Sequence, residues 1–362
     1  MIYFDYAAAA PVSPEYMTVF NRVVQRNFVN PESAHLMGRL TRDAVAQAES
    51  DLICALFPQW RGGHAIFTAS ATDAINVIGA GCHTKQRSAF FSDMEHPAVE
   101  AFIRRSTLIP VNVPYFKQPQ RLIDSIEQNN NSAMVFITHV QSETGYITDI
   151  DSICDGIRKK NPDTVIVADC VQSAGKIQLP VKPDLVVISG HKLGTAGGAA
   201  LIVNPNSKLK LEWKFLRNEN YFVGRPEPVP VIAMAEFVAS RIARMKQNFQ
   251  HVAKLNSYIR EHLPFGVVAT MPVQLASPYI LHLRTIGKQG AIIARMLSND
   301  GIMISASSAC QSEAGGPSRA LTAMGLRGEK AYEGIRISFA PESTLDECSA
   351  LIHALEHAVN NY

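Results

Sequence analysis

The chain is short of what marks a membrane, secreted or nucleic-acid-binding protein. In 362 residues no apolar run approaches the length of a bilayer span. No strong basic block occurs. The 34 Lys and Arg stand against 32 Asp and Glu, a formal net charge of +2, so no large positive surface is available for stable nucleic-acid binding. Arg158-Lys159-Lys160 reads as a solvated helix end. Cysteine is sparse: six residues without clustered spacing exclude a disulfide framework and any zinc or iron–sulfur ligand pattern. Such thiols suit a reducing compartment. Internal repeats and low-complexity tails are also missing. The first residues, Met1 to Asp5, lack the features of a signal peptide. The expectation is a soluble cytoplasmic protein with no membrane partner.

What the chain does have is alternation. Strand-like and helical runs alternate from about residue 15 to 205, which predicts a mostly parallel sheet with helices on both faces. The length allows about two domains, and such a chain buries roughly three quarters of its unfolded surface. Leu36, Leu40, Ala44, Ala48 and Leu52 recur at i,i+4, predicting an amphipathic helix over 36–57. Cys54, in the apolar run Leu52 to Leu56, reads as an inert core thiol. Val231 to Lys254 reads as one long helix after the proline-rich segment 226–230. Beyond it, strands at 279–283 and 334–339 mix with helices. The stripe Leu345, Cys348, Ile352, Leu355, Val359 marks a last helix. The expected organisation is a large domain over 14–235 and a smaller α/β domain made of 1–13 and 236–362, with the active site between them.

The chemistry gathers at strand ends. The apolar strand Leu185–Ile188 runs into Ser189-Gly190-His191-Lys192 and a Gly/Ala-rich turn. A lysine just past a buried strand faces a cleft, where it can lose its proton and attack a carbonyl. Ser189 and His191 offer a hydroxyl and an imidazole to a phosphate. One cofactor needs both an amine partner and a phosphate cradle, and that is pyridoxal phosphate. Upstream, Val165 to Ala168 reads as a buried parallel strand with Asp169 at its carboxyl end. A carboxylate there can pair with a protonated pyridine nitrogen, and Gln172 can reach a ring oxygen. Thr68, Ser70, Ala71 and Thr72 lead into a helical run to Ala80, either an anion site or an ordinary hydroxyl cap. Cys310 follows a strand and precedes Gly315-Gly316-Pro317, a polar, small-residue loop on which a thiolate can attack sulfur.

These four elements, in this order, resemble the cysteine desulfurases of the class V aminotransferase group. The resemblance runs nearly end to end. It takes in Asp5-Tyr6-Ala7-Ala8-Ala9-Ala10-Pro11, Asn30 to Arg39, Glu95-His96-Pro97, His139 to Gly145, and Gly334-Ile335-Arg336-Ile337-Ser338. It implies a PLP-dependent transferase (aspartate aminotransferase-like) fold, with a mostly parallel seven-stranded sheet in the large domain and a smaller C-terminal α/β domain. It implies L-cysteine as substrate, pyridoxal 5'-phosphate as cofactor, a homodimer, and a sulfur-acceptor protein as partner. Lys192 is then the cofactor-bearing lysine that later moves protons. Asp169 pairs with the ring nitrogen, Gln172 contacts the ring hydroxyl, and His96 stacks on the ring as a possible acid or base. Ala71, Thr72, Ser189 and His191 hold the phosphate, Arg336 binds the substrate carboxylate, and Cys310 takes the sulfur as a persulfide.

The chain also departs from the family pattern. Ala7 to Ala10 lacks two hydroxyls. Ser142 stands where the family has Asn near the ring and substrate, and it lacks an amide's paired donor and acceptor. Pro228 stands where a threonine reaches the partner subunit's phosphate, and it has neither hydroxyl nor N–H. His139 reads as structural and Glu143 as a turn residue. Other readings of the same residues are a C–S lyase or selenocysteine lyase, an ordinary aminotransferase, and a catalytically weak sulfur-transfer scaffold.

Overall fold

The computed structural model describes residues 1–80, 87–129, 133–207, 227–306 and 317–362. Its strands, in chain order, are β1 (Ile2–Tyr3), β2 (His64–Thr68), β3 (Ser88–Phe91), β4 (Ile109–Asn112), β5 (Ala133–Thr138), β6 (Val165–Asp169), β7 (Leu185–Ser189), β8 (Ala199–Val203), β9 (Val267–Ala269), β10 (Ile280–Thr285), β11 (Ile302–Met303), β12 (Ser305–Ala306) and β13 (Gly334–Ser338). The chain divides into two units. The larger comprises Pro11–His139 and Thr148–Arg244. The smaller is assembled from Met1–Ala10, Val140–Ile147 and Met245–Tyr362.

The larger unit holds a seven-stranded sheet in the order β2-β8-β7-β6-β5-β3-β4. Strands β7, β6, β5, β3 and β4 are mutually parallel. Strand β8 alone runs against its neighbours β7 and β2. The mostly parallel sheet expected from the sequence is therefore present. Its strands alternate between two apolar layers. Val135, Ile137, Ile166, Ala168, Val186 and Ile188 share a core with α1 (Pro14–Arg26), α2 (Leu36–Leu56) and the helix Pro228–Ala243. Met134, Phe136, Val165, Val167, Leu185 and Val187 pack with α3 (Ala71–Ala80) and α4 (Pro97–Arg105). A sheet covered on both faces needs apolar side chains at every position, which is why these strands read as continuous hydrophobic runs.

In the smaller unit a four-stranded antiparallel sheet runs β12-β13-β10-β9, and β1 pairs in parallel with β11. Leu281, Leu283, Ile335 and Ile337 turn one face onto Val252, Leu255, Leu351 and Leu355. The alternate residues His282, Arg336 and Ser338 are polar yet buried.

Three sequence expectations need correction. The single helix over 231–254 is two, Pro228–Ala243 and Met245–Glu261, broken at Arg244. The first packs on the core of the larger unit and the second on that of the smaller, so one straight apolar stripe could not serve both. In α2, Ala48, Leu52 and Leu56 are buried as the stripe requires, but Leu36 and Leu40 near its start are exposed. Cys54 is exposed, because Leu52, Ile53 and Leu56 define the inner face of that turn. No helix among the described residues is long and apolar enough to cross a membrane.

Candidate active site

Strands β2, β3, β5, β6 and β7 share one direction, so the residues that follow them emerge at one edge of the sheet, where ligands bind in open α/β folds. Strand β7 is buried throughout and ends in a 3₁₀ turn, Gly190–Lys192. The Ser189 hydroxyl lies 2.6 Å from His191 Nδ1. Burial, then the charges of Lys192, Lys176 and His96, push the His191 pKa down to about 4, so its imidazole is neutral at pH 7. The turn is tight: a Cβ at Gly190 would sit 2.3 Å from Thr195 Oγ1. Gly190 N–H donates to the Gly198 carbonyl at 2.9 Å, and Gly198 N–H donates to the Ala69 carbonyl at 3.3 Å. The lysine turn is thereby tied to the loop that opens α3.

Asp169 lies at the end of β6, in register with Thr138 on β5 and Val187 on β7. Its Oδ1 accepts from Val171 N–H at 3.0 Å. Burial pushes this carboxyl up, opposed by that hydrogen bond and by the charges of His96 and Lys192. Gln172 is buried three residues on. At the start of α3, Ser70 Oγ accepts from Asp73 N–H at 3.1 Å and donates to the Asp73 carboxylate at 2.8 Å. Ser70 thus acts as an ordinary cap, and Ala71 and Thr72 occupy the first turn. His96 also caps a helix, its Nδ1 accepting from Ala98 N–H at 3.2 Å ahead of Pro97. That bond fixes the ring.

Sequence reading missed Glu95, the neighbour of His96. Its Oε1 accepts from Tyr115 Oη at 2.6 Å and Ser92 Oγ at 3.3 Å, and its Oε2 accepts from Thr138 Oγ1 at 2.6 Å. The side chain is buried, and desolvation pushes its pKa up to about 7. A carboxylate next to a proline-led helix cap, following the apolar Phe90-Phe91, was the available signal. His139 is buried and held down to about 4, consistent with a neutral structural histidine.

The smaller unit carries Arg336 and Ser142. Ser142 belongs to the excursion Val140–Ile147, which Gln141 braces by accepting from the Glu143 and Thr144 N–H groups at 2.8 and 2.6 Å. Gly145 has φ of +74°, and a Cβ there would meet the Ile280 carbonyl at 2.8 Å, so glycine lets the excursion lie against β10. Arg336 Nη1 donates to the Ser142 carbonyl at 2.9 Å, and Nη2 donates to Asp5 Oδ1 at 2.7 Å and Ser305 Oγ at 3.0 Å. Its neighbour across the strand pair is His282, whose Nδ1 lies 2.6 Å from Thr270 Oγ1. Glu143 is no bare turn residue, since it accepts from the Ser318 hydroxyl. Asp5 and Ser305 were also unassigned in the sequence, because Asp5 lies 300 positions from Ser305 and 331 from Arg336. Cys310 lies outside the described residues. The structure therefore brings together Ala71, Thr72, His96, Asp169, Gln172, Ser189, His191 and Lys192 at one sheet edge, and Ser142 with Arg336 in the smaller unit.

Comparison with known proteins agrees with this architecture. The cysteine desulfurase IscS of Vibrio vulnificus (strain YJ016) is 28% identical over 386 residues, covering 99% of this chain and 92% of its own. That of Dictyoglomus turgidum is 25% identical over 377 residues, covering 99% and 94%. Among solved structures, a NifS-like protein from Rickettsia africae superposes with a TM-score of 0.84 at 23% identity over 99% of both chains. SspA in complex with cysteine gives 0.75 at 22% identity, over 95% of this chain and 100% of its own. The model of the class-V aminotransferases matches residues 2–351, and the chain belongs to that family of pyridoxal-phosphate-dependent enzymes.

Proposed function

We propose that the chain is a pyridoxal-phosphate-dependent cysteine desulfurase, which takes sulfur from L-cysteine and leaves L-alanine. The observation that carries this reading is the pairing of Asp169 and Lys192 at the ends of adjacent parallel strands, beside a turn bearing Ser189 and His191. That donor set fits the cofactor. Asp169 is a half-buried carboxyl whose charged form gains from a cationic ring nitrogen, Lys192 supplies the amine, and the first turn of α3 supplies N–H groups for an anion. When bound, the cofactor supplies an electron sink for negative charge at the substrate α-carbon.

The chain's own residues then divide the work. Lys192 anchors the cofactor and carries the proton to and from the substrate α-carbon. Asp169 keeps the ring nitrogen protonated, and Gln172 contacts the ring hydroxyl. Ala71, Thr72, Ser189 and His191 hold the phosphate. With the Ser189 hydroxyl donating to Nδ1, the neutral His191 carries its proton on Nε2, a donor for a phosphate oxygen. His96 covers the ring and offers Nε2 as an acid or base. Arg336, with Ser142 beside it, receives the substrate carboxylate. Cys310 forms a bond to the substrate sulfur as the C–S bond breaks, and the electron pair of that bond stays with carbon, which a proton then takes up. The acceptor of the persulfide sulfur is a partner protein, and the setting is cytoplasmic.

Product analysis with L-cysteine, with and without dithiothreitol, tests the assignment. Alanine and sulfide in equal amounts are expected. Cys310→Ser is expected to lose the persulfide and sulfur delivery while the cofactor band remains. Pyruvate and ammonia would make the protein a lyase and overturn the reading.

The enzyme works as a homodimer. Met17, Val24 and Phe28 on or just past α1, and Leu36, Met37 and Leu40 at the start of α2, are all exposed, Phe28 and Leu36 by 68% and 60%. An apolar series of this kind supports an association surface on this side of the chain. Leu40→Glu is expected to shift the protein from dimer to monomer in light scattering. A wild-type protein already monomeric at micromolar concentration would remove the homodimer.

A further inference from the structure

The charge on Arg336 already has a resident partner. Ile335 and Ile337 turn into the core of the smaller unit, so Arg336 faces the opposite side of β13, with His282 and Ser305 opposite it on β10 and β12. Its side chain is 4% exposed and that of Asp5 is 21% exposed. Three hydrogen bonds hold the guanidinium: Nη1 to the Ser142 carbonyl, and Nη2 to Asp5 Oδ1 and Ser305 Oγ. Ser305 also donates to Asp5 Oδ1 at 2.7 Å, closing a three-membered network. Nε is buried and has no hydrogen-bond partner among the described residues.

A carboxylate recognised by arginine takes two parallel N–H groups from adjacent nitrogens. Either fork, Nη1 with Nη2 or Nε with Nη2, needs a hydrogen on Nη2, the nitrogen on which Asp5 and Ser305 both draw. His282 adds no second positive charge, because burial and the charges of Arg336 and Arg284 push it down to about 3. The other carboxylate near the cluster, Glu143, lies 3.9 Å from His282 Nε2 and is engaged by Ser318.

We propose that Asp5 sets the affinity of Arg336 for an incoming carboxylate: it orients the guanidinium in the empty state and must yield Nη2 when a carboxylate binds. The proposal rests on the reading of Arg336 as the substrate-carboxylate residue. Asp5 is a positioning residue and an internal competitor, and the orphaned Nε is the donor that the incoming group satisfies. This explains how an arginine can wait, buried, without collapsing onto its own backbone.

The test is calorimetric titration of the cofactor-loaded protein with propionate and with the neutral isostere propionamide, beside steady-state kinetics with L-cysteine. Asp5→Asn keeps an acceptor for Nη2 but removes the negative charge. It is expected to tighten propionate binding on the order of tenfold, the effect of deleting one like charge a few ångströms away. Propionamide binding should not move, and KM for L-cysteine should fall while kcat stays within a few-fold. Ser305→Ala, which removes one of the two acceptors on Nη2 without touching charge, should tighten propionate binding less, in the same direction. Unchanged or weaker propionate binding in Asp5→Asn overturns the proposal. If that variant does not fold, unchanged binding in Ser305→Ala does so. The propionate readout needs no turnover, so a protein that makes no alanine yet shows the Asp5 effect refutes the desulfurase reading and leaves this one standing.

Discussion

Lys192→Ala is expected to lower alanine formation from L-cysteine by on the order of 10⁴-fold, the upper end of what one positioned proton-transfer group supplies. The loss is large because the lysine does two things. It anchors the cofactor as a nucleophile, and it carries the proton at the α-carbon. The fold should be indifferent. The residue ends a three-residue 3₁₀ turn whose geometry is set by Gly190, Thr195 and Gly198, and it lies outside every core cluster. The apo-protein's thermal midpoint should therefore stay within a few degrees of wild type, since substitutions away from the core shift stability by about 0.5 kcal/mol or less. Alanine quantitation and the visible absorbance of the loaded protein are the two readouts. Turnover retained within tenfold would exclude Lys192 as the cofactor-bearing residue.

The second large effect is on stability against pH, and it centres on Glu95. In the unfolded chain this carboxyl titrates near 4.5, and in the native protein burial raises it to about 7. Below pH 4.5 the group is protonated in both states and its contribution is fully present. As pH rises through 7 the native state must ionise a carboxyl surrounded by Ser92, Tyr115 and Thr138 hydroxyls, with the Asp169 charge nearby. Stability is lost over that window, by about 3 kcal/mol at one pKa unit per 1.36 kcal/mol. Glu95→Gln cannot ionise, so its stability should not show that fall. Denaturant melts of the apo-protein at pH 5 and pH 8 measure both. An equal pH dependence in the two proteins would mean that Glu95 is ionised throughout. Asp169 stands in register with Thr138, so a charge on Glu95 also opposes the charge that Asp169 would offer a cofactor.

The larger unit was legible in the sequence because its chemistry is local. Strands β6 and β7 announce themselves as unbroken apolar runs, and Asp169 and Lys192 stand within a few residues of their ends. The smaller unit was not. Its polar cluster joins Asp5, Ser142, Ser305 and Arg336, residues separated by as many as 331 positions, and no short-range pattern signals such a meeting. The strand expected at 334–339 holds Arg336, but which of its faces is buried depends on what covers it. Periodicity also failed at the start of α2, where Leu36 and Leu40 obey the stripe and yet remain exposed. Hydrophobic spacing reports that a face is apolar, and a second copy of the chain can cover it as well as the protein's own core. The break at Arg244 was hidden because both helices flanking it are individually periodic and no glycine or proline divides them.

The pairing of Ile2 with Ile302 and of Tyr3 with Met303 has a consequence for how the chain is made. The first strand emerges from the ribosome with no partner. At a synthesis rate of 5–20 residues per second it waits roughly 15–60 s before its partner strand exists. Over that interval the larger unit can assemble, while Met1–Ala10 wait for their partners. The strand at 302–303 then recruits the one at 2–3, and the Arg336 guanidinium meets the Asp5 carboxylate only after 331 further residues have been made.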